Sequence, residues 1–484
     1  MPTPLLLRVG SVLGWIWYHV IPLRRNDALI AVARAFPEKT PEEHRRIVKA
    51  NFVHLVRALF EVVGFVAYPV ERLKKLVRFE GLAEPVLAAR AEGRGTVCLS
   101  AHIGSFELSM GTFHFLTGVP IVIVARIPKG GISRSLLEAV RDRTGMIVLP
   151  PKGSLPKVVH ALTEERRILG FVTDQNMPKK RGVFVDFLGE IACTTPGFSV
   201  IARKSGAIVV PGWNERLADG THLGHFGPPI TLSTDPNPRV AALNDTWRVS
   251  QMTEAWIRAK PEQWFWVHRR WKSKPDAGQV VRTARGLEVW GQGRVGVLLD
   301  RDGTINRELG HSVLAPDELE LIPGAADAIR RLNEAGVVVA VTTNQAPVGR
   351  GQITEADLDA IHQRMRELLA KEGARIDAID YCPHHPTEGL GAFKTACECR
   401  KPSPGLLNTA TKRWGLNPRV SLFVGDRDTD VKAARAAGYP VTLVSNGWAH
   451  KPWEPPTEPP DHIAESLPDA IDRFLEKRFG GRTE

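Results

Sequence analysis

Two series of short apolar runs, each alternating with helical segments, restrict the fold of this sequence more than any other feature. In the first series the runs have the length of strands and lie at residues 96–100, 120–125, 146–149, 168–172 and 207–211. Strands that alternate with helices are typical of an α/β layer with a largely parallel sheet. A helical region comes first, because apolar residues recur at helical spacing from Asp27 to Ala67.

The second series starts after a polar, glycine-containing segment at residues 272–293. Its predicted strands and helices alternate in the order 294–299, 325–335, 337–342, 356–371, 420–424 and 429–437. A chain of 484 residues is also too long for a single core. We therefore predict an α/β fold with two domains in series: residues 1–275 with a helical N-terminus, a linker at 276–293, a second domain at 294–450, and a Pro-rich segment with a last helix at 451–484.

Charge and cysteine content narrow the class of protein. Residues 1–292 hold 40 Lys and Arg against 25 Asp and Glu, whereas the remainder holds 24 against 28. The basic first part is expected to meet an anionic partner, either an acidic carrier protein or a phospholipid surface. Nucleic acid is not expected, because no nucleic-acid-binding module is recognisable. Five cysteines form no disulfide framework in a chain of this length, which favours a reducing compartment, the cytoplasm.

Residues 5–23 are apolar and aromatic but are interrupted by Arg8, two glycines and His19. No signal-peptidase site follows, so a cleaved signal peptide is not expected. Arg24 and Arg25 come next, which suits a helix that lies in or crosses a membrane interface. A buried helix that packs on its own domain explains the same residues equally well. We predict a possible membrane-associated segment at residues 1–25.

Two carboxylates at positions i and i+2, Asp300 and Asp302, directly follow a predicted buried strand in the sequence Asp-Arg-Asp-Gly-Thr. One carboxylate of such a pair can attack phosphorus while the other supplies a proton. Thr343 follows the next strand and can donate to a phosphate oxygen, and Lys401 can neutralise phosphoryl charge. Asp426 follows a further strand and, with Asp300 and Asp302, is predicted to bind Mg²⁺, with Asp430 behind it.

A second cluster consists of Cys382, His384, Cys397 and Cys399. Three thiolates and one imidazole complete a tetrahedral Zn²⁺ site with no open position, so the zinc is expected to be structural. His385 is adjacent and could replace His384, although the Cys-x-His spacing favours His384. The loop leads directly into Arg400 and Lys401.

Together these motifs resemble the haloacid dehalogenase (HAD) superfamily, and within it the D-glycero-D-manno-heptose-1,7-bisphosphate 7-phosphatases, over residues 294–448. The related histidinol-phosphate phosphatases are the alternative. The resemblance implies a Rossmannoid parallel sheet with a zinc loop, an aspartyl-phosphate intermediate and a sugar phosphate substrate. It implies a substrate-binding set of Asn344, Gln345, Arg350, Arg400 and Arg427. Glu308, Gly310, His311 and Ser312 depart from the pattern of that family in a segment that faces substrate.

His102 follows the first predicted strand, and Glu107 lies five residues later. A turn would bring the carboxylate onto the imidazole, and such a pair can serve as a general base for a hydroxyl group. A His near a Glu is more often a structural pair, so this motif alone decides little.

Further motifs give that pair a context. They are Arg126, Asp174-Gln175-Asn176, Thr194-Thr195-Pro196-Gly197 and the aromatic and basic run from Trp264 to Lys272. The series resembles the lipid A late acyltransferases over residues 1–275. The resemblance implies that His102 and Glu107 form the dyad, that Arg126 and Asp174 contact substrate, and that acyl carrier protein and a lipid A precursor are the partners at the inner membrane surface. The expected protein is therefore bifunctional; in the alternative, only the phosphatase is active and the N-terminal part is a membrane-binding or scaffolding module.

Overall fold

The computed structural model describes residues 3–21, 23–80, 84–125, 130–447 and 455–479. The chain forms two compact units. Unit 1 comprises Met1–Ser233 and Asp245–Lys274, and unit 2 comprises Thr234–Asn244 and Pro275–Glu484.

Unit 1 begins with three helices. They are α1 (Thr3–His19), α2 (Arg25–Ala35) and α3 (Pro41–Ala67). Helix α3 starts at a capping box, in which Thr40 and Glu43 satisfy each other's backbone N–H groups. Helix α1 packs on α3, where the rings of Trp17 and Phe52 are 4.5 Å apart. Residues 5–23 were predicted either to associate with a membrane or to pack on their own domain. Packing on the domain is confirmed for one face of α1.

The other face of this helical layer is apolar and exposed. Among the described helices, α3 is the one long and apolar enough to cross a membrane by length and composition. Large apolar side chains of α1, α3 and the segment between α1 and α2 are between 37% and 65% exposed; they are Leu5, Val9, Val12, Leu13, Trp15, Val20, Ile21, Leu23, Leu59 and Val63. Exposed apolar side chains in this number are unusual for a surface that faces water alone.

A mixed seven-stranded sheet forms the centre of unit 1, in the order β1-β9-β8-β2-β5-β3-β4. All neighbouring strands are parallel except β8 and β9. Its strands are β1 (Val77–Glu80), β2 (Thr96–Ser100), β3 (Ile121–Val124), β4 (Ile147–Leu149), β5 (Ile168–Val172), β8 (Ile208–Arg216) and β9 (His222–Phe226). Strands β6 (Val183–Phe187) and β7 (Glu190–Thr194) form an antiparallel hairpin.

The helices of unit 1 that follow α3 are α4 (Val70–Leu76), α5 (Glu84–Ala91), α6 (Phe106–Thr117), α7 (Ile132–Thr144), α8 (Leu155–Thr163), α9 (Gly197–Ser205) and α10 (Pro238–Ala259), whose first residues belong to unit 2. The five predicted strands correspond to β2, β3, β4, β5 and β8, which confirms the α/β class. Because β2 lies between β8 and β5, the turns that follow β2 and β5 meet at one edge of the sheet.

Unit 2 contains a six-stranded, fully parallel sheet in the order β15-β14-β13-β16-β17-β18. Its strands are β13 (Gly296–Leu299), β14 (Val338–Asn344), β15 (Ala378–Cys382), β16 (Leu422–Gly425), β17 (Val441–Val444) and β18 (His462–Ala464). Its helices are α11 (Ala325–Glu334), α12 (Ala346–Gly349), α13 (Glu355–Lys371), α14 (Gly405–Trp414), α15 (Asp428–Ala436) and α16 (Leu467–Phe479). The predicted parallel sheet is therefore present, with β13 at its centre.

Residues 280–289, which we expected to be irregular linker, instead form an antiparallel hairpin of β10 (Val280–Thr283) and β11 (Gly286–Val289). Strand β12 (Gly293–Arg294) extends it. The prediction failed because a short hairpin with a polar turn lacks a clear period in the sequence. Val281 and Leu287 are nevertheless fully buried in the structure.

Candidate active sites

The loop after β13 in unit 2 presents Asp300 at the carboxyl end of the sheet. The N–H of Asp300 donates to Val424 O of the neighbouring strand at 2.9 Å. Gly303 has a φ of +74°, and a Cβ there would lie 2.2 Å from Oδ2 of Asp426. Only glycine therefore allows this loop to approach the loop after β16 so closely.

Three buried carboxylates, Asp300, Asp426 and Asp430, place oxygen atoms within 4.8 Å of one another. Burial is the main cause that raises the pKa of Asp300 to about 6, against the opposing charge of Lys401. Burial and the charges of Asp430 and Asp300 raise the pKa of Asp426 well above its ordinary value. Carboxylates that repel each other in this way favour a hard divalent cation, which is the ligand chemistry of Mg²⁺.

The carboxylate of Asp302, predicted as a third magnesium ligand, is not part of this cluster. Oδ1 accepts from Nη2 of Arg301 at 2.9 Å and from Nδ2 of Asn306 at 3.0 Å, and Oδ2 accepts from Nε2 of Gln345 at 3.0 Å. Burial opposes the charged form, but the guanidinium of Arg301 and these hydrogen bonds lower the pKa of Asp302. The third carboxylate beside Asp300 and Asp426 is that of Asp430.

Lys401 joins the cluster. Its Nζ atom lies 2.9 Å from Oδ1 of Asp300 and 2.6 Å from Oδ1 of Asp430, and its side chain is buried. The charges of these two carboxylates outweigh burial and raise the pKa of Lys401. Asn344 fixes the backbone of Lys401 at two points, since its amide donates to Lys401 O and accepts from Lys401 N, both at 3.0 Å.

Cys382, His384, Cys397 and Cys399 converge, with ligand atoms within 4.8 Å of one another. The Sγ atoms are 3.2–3.5 Å apart, and Nδ1 of His384 lies 3.4 Å from Sγ of Cys399. This donor set fits a closed tetrahedral zinc site. His385 instead accepts from the N–H of Glu388 at 3.0 Å, so His384 is the histidine of the cluster.

The remaining predicted residues of unit 2 lie around this site. Gln345 also donates to Oγ1 of Thr343 at 2.9 Å. Arg350 pairs with Glu388 at 2.7 Å, Arg400 donates to His384 O at 3.0 Å, and Arg427 pairs with Glu308 at 2.6 Å. Glu308 belongs to the segment that departs from the family pattern, and through Arg427 it approaches Asp426, whose Oδ2 lies 3.6 Å from Nε of Arg427.

In unit 1 the turn after β2 carries His102, and its hydrogen-bond partner is Asp174. Oδ1 of Asp174 lies 2.8 Å from Nδ1 of His102, and Oδ2 accepts from the N–H of His102 at 2.9 Å and from Nε1 of Trp264 at 2.7 Å. Burial opposes its charged form, but His102 lowers the pKa of Asp174 to about 2. Burial likewise opposes the imidazolium, yet the charge of Asp174 raises the pKa of His102.

The predicted pairing of His102 with Glu107 therefore requires correction, because Nδ1 of His102 bonds to Asp174. The predicted contact of Asp174 with substrate stays a prediction. The other ring nitrogen of His102, Nε2, lies 3.0 Å from Nε2 of Gln175. Glu107 influences His102 through charge and lines the same cavity. The Glu107 side chain is accessible from this cavity. The surrounding protein atoms keep it away from bulk water, and this desolvation raises the pKa of Glu107 to about 7. Arg126 lies outside the described residues.

The cavity beside His102 has a volume of about 1090 Å³. Its lining is mainly apolar and includes Phe79, Met110, Phe113, Ile123, Leu137 and Phe226. A large apolar cavity with His102 and Glu107 at its wall is suited to bind a hydrocarbon chain whose end reacts there.

A buried polar network supports the turn between His102 and Glu107. The carboxylate of Glu61 accepts from Nη2 of Arg216 at 2.6 Å and lies 3.1 Å from Nε2 of His222. Asn214 lies 3.1 Å from His222 and accepts from the N–H of Ser105 at 2.8 Å. The network thus reaches the first residue before helix α6.

The same network depends on a glycine in that turn. Gly104 has a φ of +67°, and a Cβ there would lie 2.2 Å from Asn214 O. Glycine at position 104 is therefore required by both the backbone conformation and the close approach of β8.

Several residues of these sites were missed by sequence reasoning. In unit 1 they are Glu61, Arg216 and His222, and in unit 2 they are Arg301 and Asn306. A signal was present for Arg301, which adjoins two predicted site residues. Glu61 lies in a helix that reads as apolar, so its role depends on the tertiary structure.

Comparisons with known proteins agree with this geometry. A family model described as bacterial lipid A biosynthesis acyltransferase matches residues 1–273, and one described as HAD-hydrolase-like matches residues 398–470. The D-glycero-beta-D-manno-heptose-1,7-bisphosphate 7-phosphatase of Rhodopseudomonas palustris is 45% identical over 147 residues, which are 30% of this chain and 81% of that protein. The Escherichia coli K12 protein of the same name is 39% identical over 175 residues, which are 36% of this chain and 90% of that protein.

Among solved structures, a D,D-heptose 1,7-bisphosphate phosphatase from B. bronchiseptica in complex with magnesium and phosphate is 32% identical. The match covers 38% of this chain and 99% of that chain, with a TM-score of 0.33. From the matches of the family model and the two sequence relatives, this chain belongs to the bacterial lipid A biosynthesis acyltransferase family through residues 1–273, and to the HAD phosphatases related to the heptose bisphosphate 7-phosphatases through unit 2.

Proposed function

We propose that this chain is a bifunctional enzyme of lipopolysaccharide biosynthesis. Unit 1 transfers an acyl group from acyl carrier protein to a hydroxyacyl chain of a lipid A precursor. Unit 2 hydrolyses the 7-phosphate of a D-glycero-D-manno-heptose 1,7-bisphosphate. The observation that supports the proposal is the contact between side chains at the carboxyl edge of each sheet: His102 with Asp174 in unit 1, and Asp300 with Lys401 and Asp426 in unit 2.

In unit 2 the Asp300 carboxylate attacks phosphorus, and the bond to the sugar oxygen breaks. Asp302 protonates that oxygen and then removes a proton from the water that hydrolyses the aspartyl phosphate. Asp302 therefore starts each turnover as the carboxylic acid and regains its proton from the water. Its lowered pKa keeps it a carboxylate between the two steps, until the water is activated. Lys401 and Thr343 stabilise the charge on the phosphoryl oxygens.

Asp300 and Asp426 are the residues that would hold Mg²⁺, with Asp430 behind them. When bound, the ion supplies charge neutralisation for the phosphoryl group. Cys382, His384, Cys397 and Cys399 would hold a structural zinc ion that keeps the loop before Lys401 in place.

The choice of a heptose bisphosphate rests on the names of the two sequence relatives, which both specify the beta anomer. We assign contacts with the sugar and its second phosphate to the predicted set of Asn344, Gln345, Arg350, Arg400 and Arg427, with Glu308 paired to Arg427. Histidinol phosphate is the alternative substrate, and its hydrolysis is to be compared with that of the heptose bisphosphate.

In unit 1, Nε2 of His102 removes the proton of the acceptor hydroxyl while Asp174 holds the ring through Nδ1. The oxygen attacks the thioester carbonyl, and the bond to sulfur breaks. Glu107, with a pKa of about 7, is partly protonated near neutral pH and donates a proton to the departing thiolate. His102 then returns its proton to Glu107. The apolar cavity holds the acyl chain during this exchange.

The exposed apolar side chains of α1 and α3 and the basic charge of the first part favour a position on the cytoplasmic surface of the inner membrane. There both an anionic lipid acceptor and an acidic carrier protein are accessible.

The test uses the full-length protein and its His102→Ala and Asp300→Asn variants. Acyl transfer from acyl carrier protein to lipid A precursors and phosphate release from heptose bisphosphates and histidinol phosphate are measured in parallel. Loss of each activity only in its own variant is expected. If no lipid A precursor accepts an acyl group, unit 1 is a membrane-binding or scaffolding module. If phosphate is released from histidinol phosphate but not from heptose bisphosphates, histidinol phosphate is the substrate of unit 2.

A further inference from the structure

A carboxylate in unit 1 holds two arginines from distant parts of the sequence side by side. Oδ2 of Asp27 accepts from Nη1 of Arg24 at 2.7 Å and from Nε of Arg269 at 3.1 Å. The arginine side chains are 41% and 60% exposed. Each guanidinium has five N–H donors, so both can bind a further acceptor while they stay paired with Asp27.

These arginines line a groove of about 540 Å³ that leads to the acyltransferase site. Asn176 and His268 line both this groove and the large apolar cavity. Phe265 forms part of its wall, and its ring centroid lies 6.0 Å from that of His102. A ligand in the groove is therefore close to the reacting hydroxyl.

The charge of the groove has a defined sign and size. Arg24, Arg269 and Lys272 contribute three positive charges and Asp27 one negative charge, which leaves two positive charges. A phosphate monoester carries about −1.5 to −2 at neutral pH, so the two are matched. Arginine forks bind phosphate oxygens in a bidentate manner.

The groove also has features for a sugar. Trp17 and Phe265 line it beside the cations, and aromatic faces provide apolar contact area for a sugar ring. On the other side of the Asp27 bridge, Ile21 and Leu23 are exposed. A molecule with a phosphorylated sugar and apolar chains would find each part accommodated.

We propose that this groove binds a phosphate monoester on the sugar headgroup of the acyl acceptor. The proposal rests on the acyl transfer assigned to unit 1 and adds the place and the residues that recognise the acceptor. Asp27 acts as the positioning residue, because it keeps the two guanidinium groups together against their mutual repulsion.

A binding experiment tests the groove without acyl transfer. Full-length protein with Asp300→Asn, which prevents hydrolysis of the probe, is titrated with glucosamine 1-phosphate and with glucosamine by calorimetry. Arg269→Ala/Lys272→Ala is expected to raise the Kd for glucosamine 1-phosphate at least about tenfold and to leave glucosamine unaffected. Arg45→Ala/Arg134→Ala removes two positive charges from exposed helix positions of the same unit and serves as the matched control.

Equal affinities in the groove and control variants would overturn the proposal. So would a groove variant that loses binding to phosphatidylglycerol vesicles but keeps its affinity for glucosamine 1-phosphate, since the groove would then contact the membrane surface. In the kinetic arm, the groove variant is expected to raise KM for a phosphorylated acceptor with kcat and the KM of the acyl donor unchanged. If neither the wild type nor any variant transfers acyl groups but the calorimetric difference is observed, the proposed acyl transfer is rejected and the proposed phosphate-binding groove is retained.

Discussion

Oδ1 of Asp174 lies 2.8 Å from Nδ1 of His102, although 72 residues separate them in the sequence. The two residues follow β2 and β5, which are parallel neighbours. This pairing leaves Nε2 of His102 as the nitrogen that faces Gln175 and the cavity.

We expect Asp174→Asn to lower kcat of acyl transfer by about 100-fold or more, because the imidazole loses both its orientation and its counter-charge. The base works when His102 is neutral, so activity rises with pH through the pKa of His102. Asp174 raises this pKa, and its removal should therefore shift the acidic limb of the pH profile to lower pH. Asp219→Asn, which removes an exposed carboxylate of the same unit, is the control and should leave the limb in place. An unshifted limb in Asp174→Asn would contradict the pairing.

Glu107→Gln should act on the opposite limb. A donor with a pKa of about 7 loses its proton as pH rises, so wild-type activity should fall above pH 7. Glutamine at this position removes the titration, and the alkaline limb should disappear while the rate at its maximum also falls. A variant that retains the alkaline limb would show that Glu107 is not the proton donor. Glu92→Gln, at an exposed position of the same unit, is the control.

Removal of zinc should lower phosphatase activity by at least about tenfold, as losses at supporting residues of metal sites do. Cys399 is two residues before Lys401, and Cys382 O accepts from the N–H of Gln345 at 2.7 Å. The experiment compares Cys399→Ser with Cys193→Ser, whose thiol is in unit 1, and measures zinc content and phosphate release with Mg²⁺ restored. Full activity in a zinc-free protein would refute this dependence.

Lys401→Met should abolish phosphate release and destabilise unit 2. The substitution leaves Asp300 and Asp430 buried without their cation, and the loss of one partner of a buried ion pair costs about 3–5 kcal/mol. Lys432→Met removes a lysine that pairs with Asp428 on the surface and should change neither property. Phosphate release and thermal unfolding of both variants provide the comparison, and an active Lys401→Met enzyme would exclude the assigned role.

Glu61→Gln should lower the stability of unit 1 by about 3–5 kcal/mol, because Arg216 is left buried without a full counter-charge. Burial opposes the carboxylate, but hydrogen bonds and charges from His222 and Arg216 lower the pKa of Glu61 below its ordinary value of 4.5. The stabilisation is therefore present above about pH 4.5 and is lost as pH falls below it. The difference in unfolding free energy between wild type and variant should therefore stay constant from pH 7 to 5 and begin to narrow below about pH 4.5. Glu71→Gln, at an exposed position, should follow wild type throughout.

The sequence contained enough information for the strands that carry chemistry and for the zinc cluster. Strands β2 and β5 are apolar runs of strand length, and the cysteines lie within eighteen residues. Such features depend on local pattern and on ligand type, which can be inferred without knowledge of the tertiary structure.

The partner of His102 could not be inferred in the same way. Glu107 is close in sequence, but helix α6 begins at Phe106 and directs the carboxylate into the cavity. Asp174 becomes the partner only because β5 lies beside β2, and strand order is not encoded in local periodicity. Likewise, Asp430 rather than Asp302 completes the carboxylate cluster because Arg301, between the two motif carboxylates, holds Asp302.

Helix α3 buries titratable side chains among its apolar ones and also exposes large apolar side chains. Glu61 and His54 are buried on its inner side, whereas Leu59 and Val63 are exposed on its outer side. The inner side connects with the turn of His102, and the outer side adjoins the apolar surface of α1. In the function proposed above, adhesion to lipid and the geometry of acyl transfer depend on opposite sides of one helix, so that substitutions close together in α3 are expected to alter one property and preserve the other.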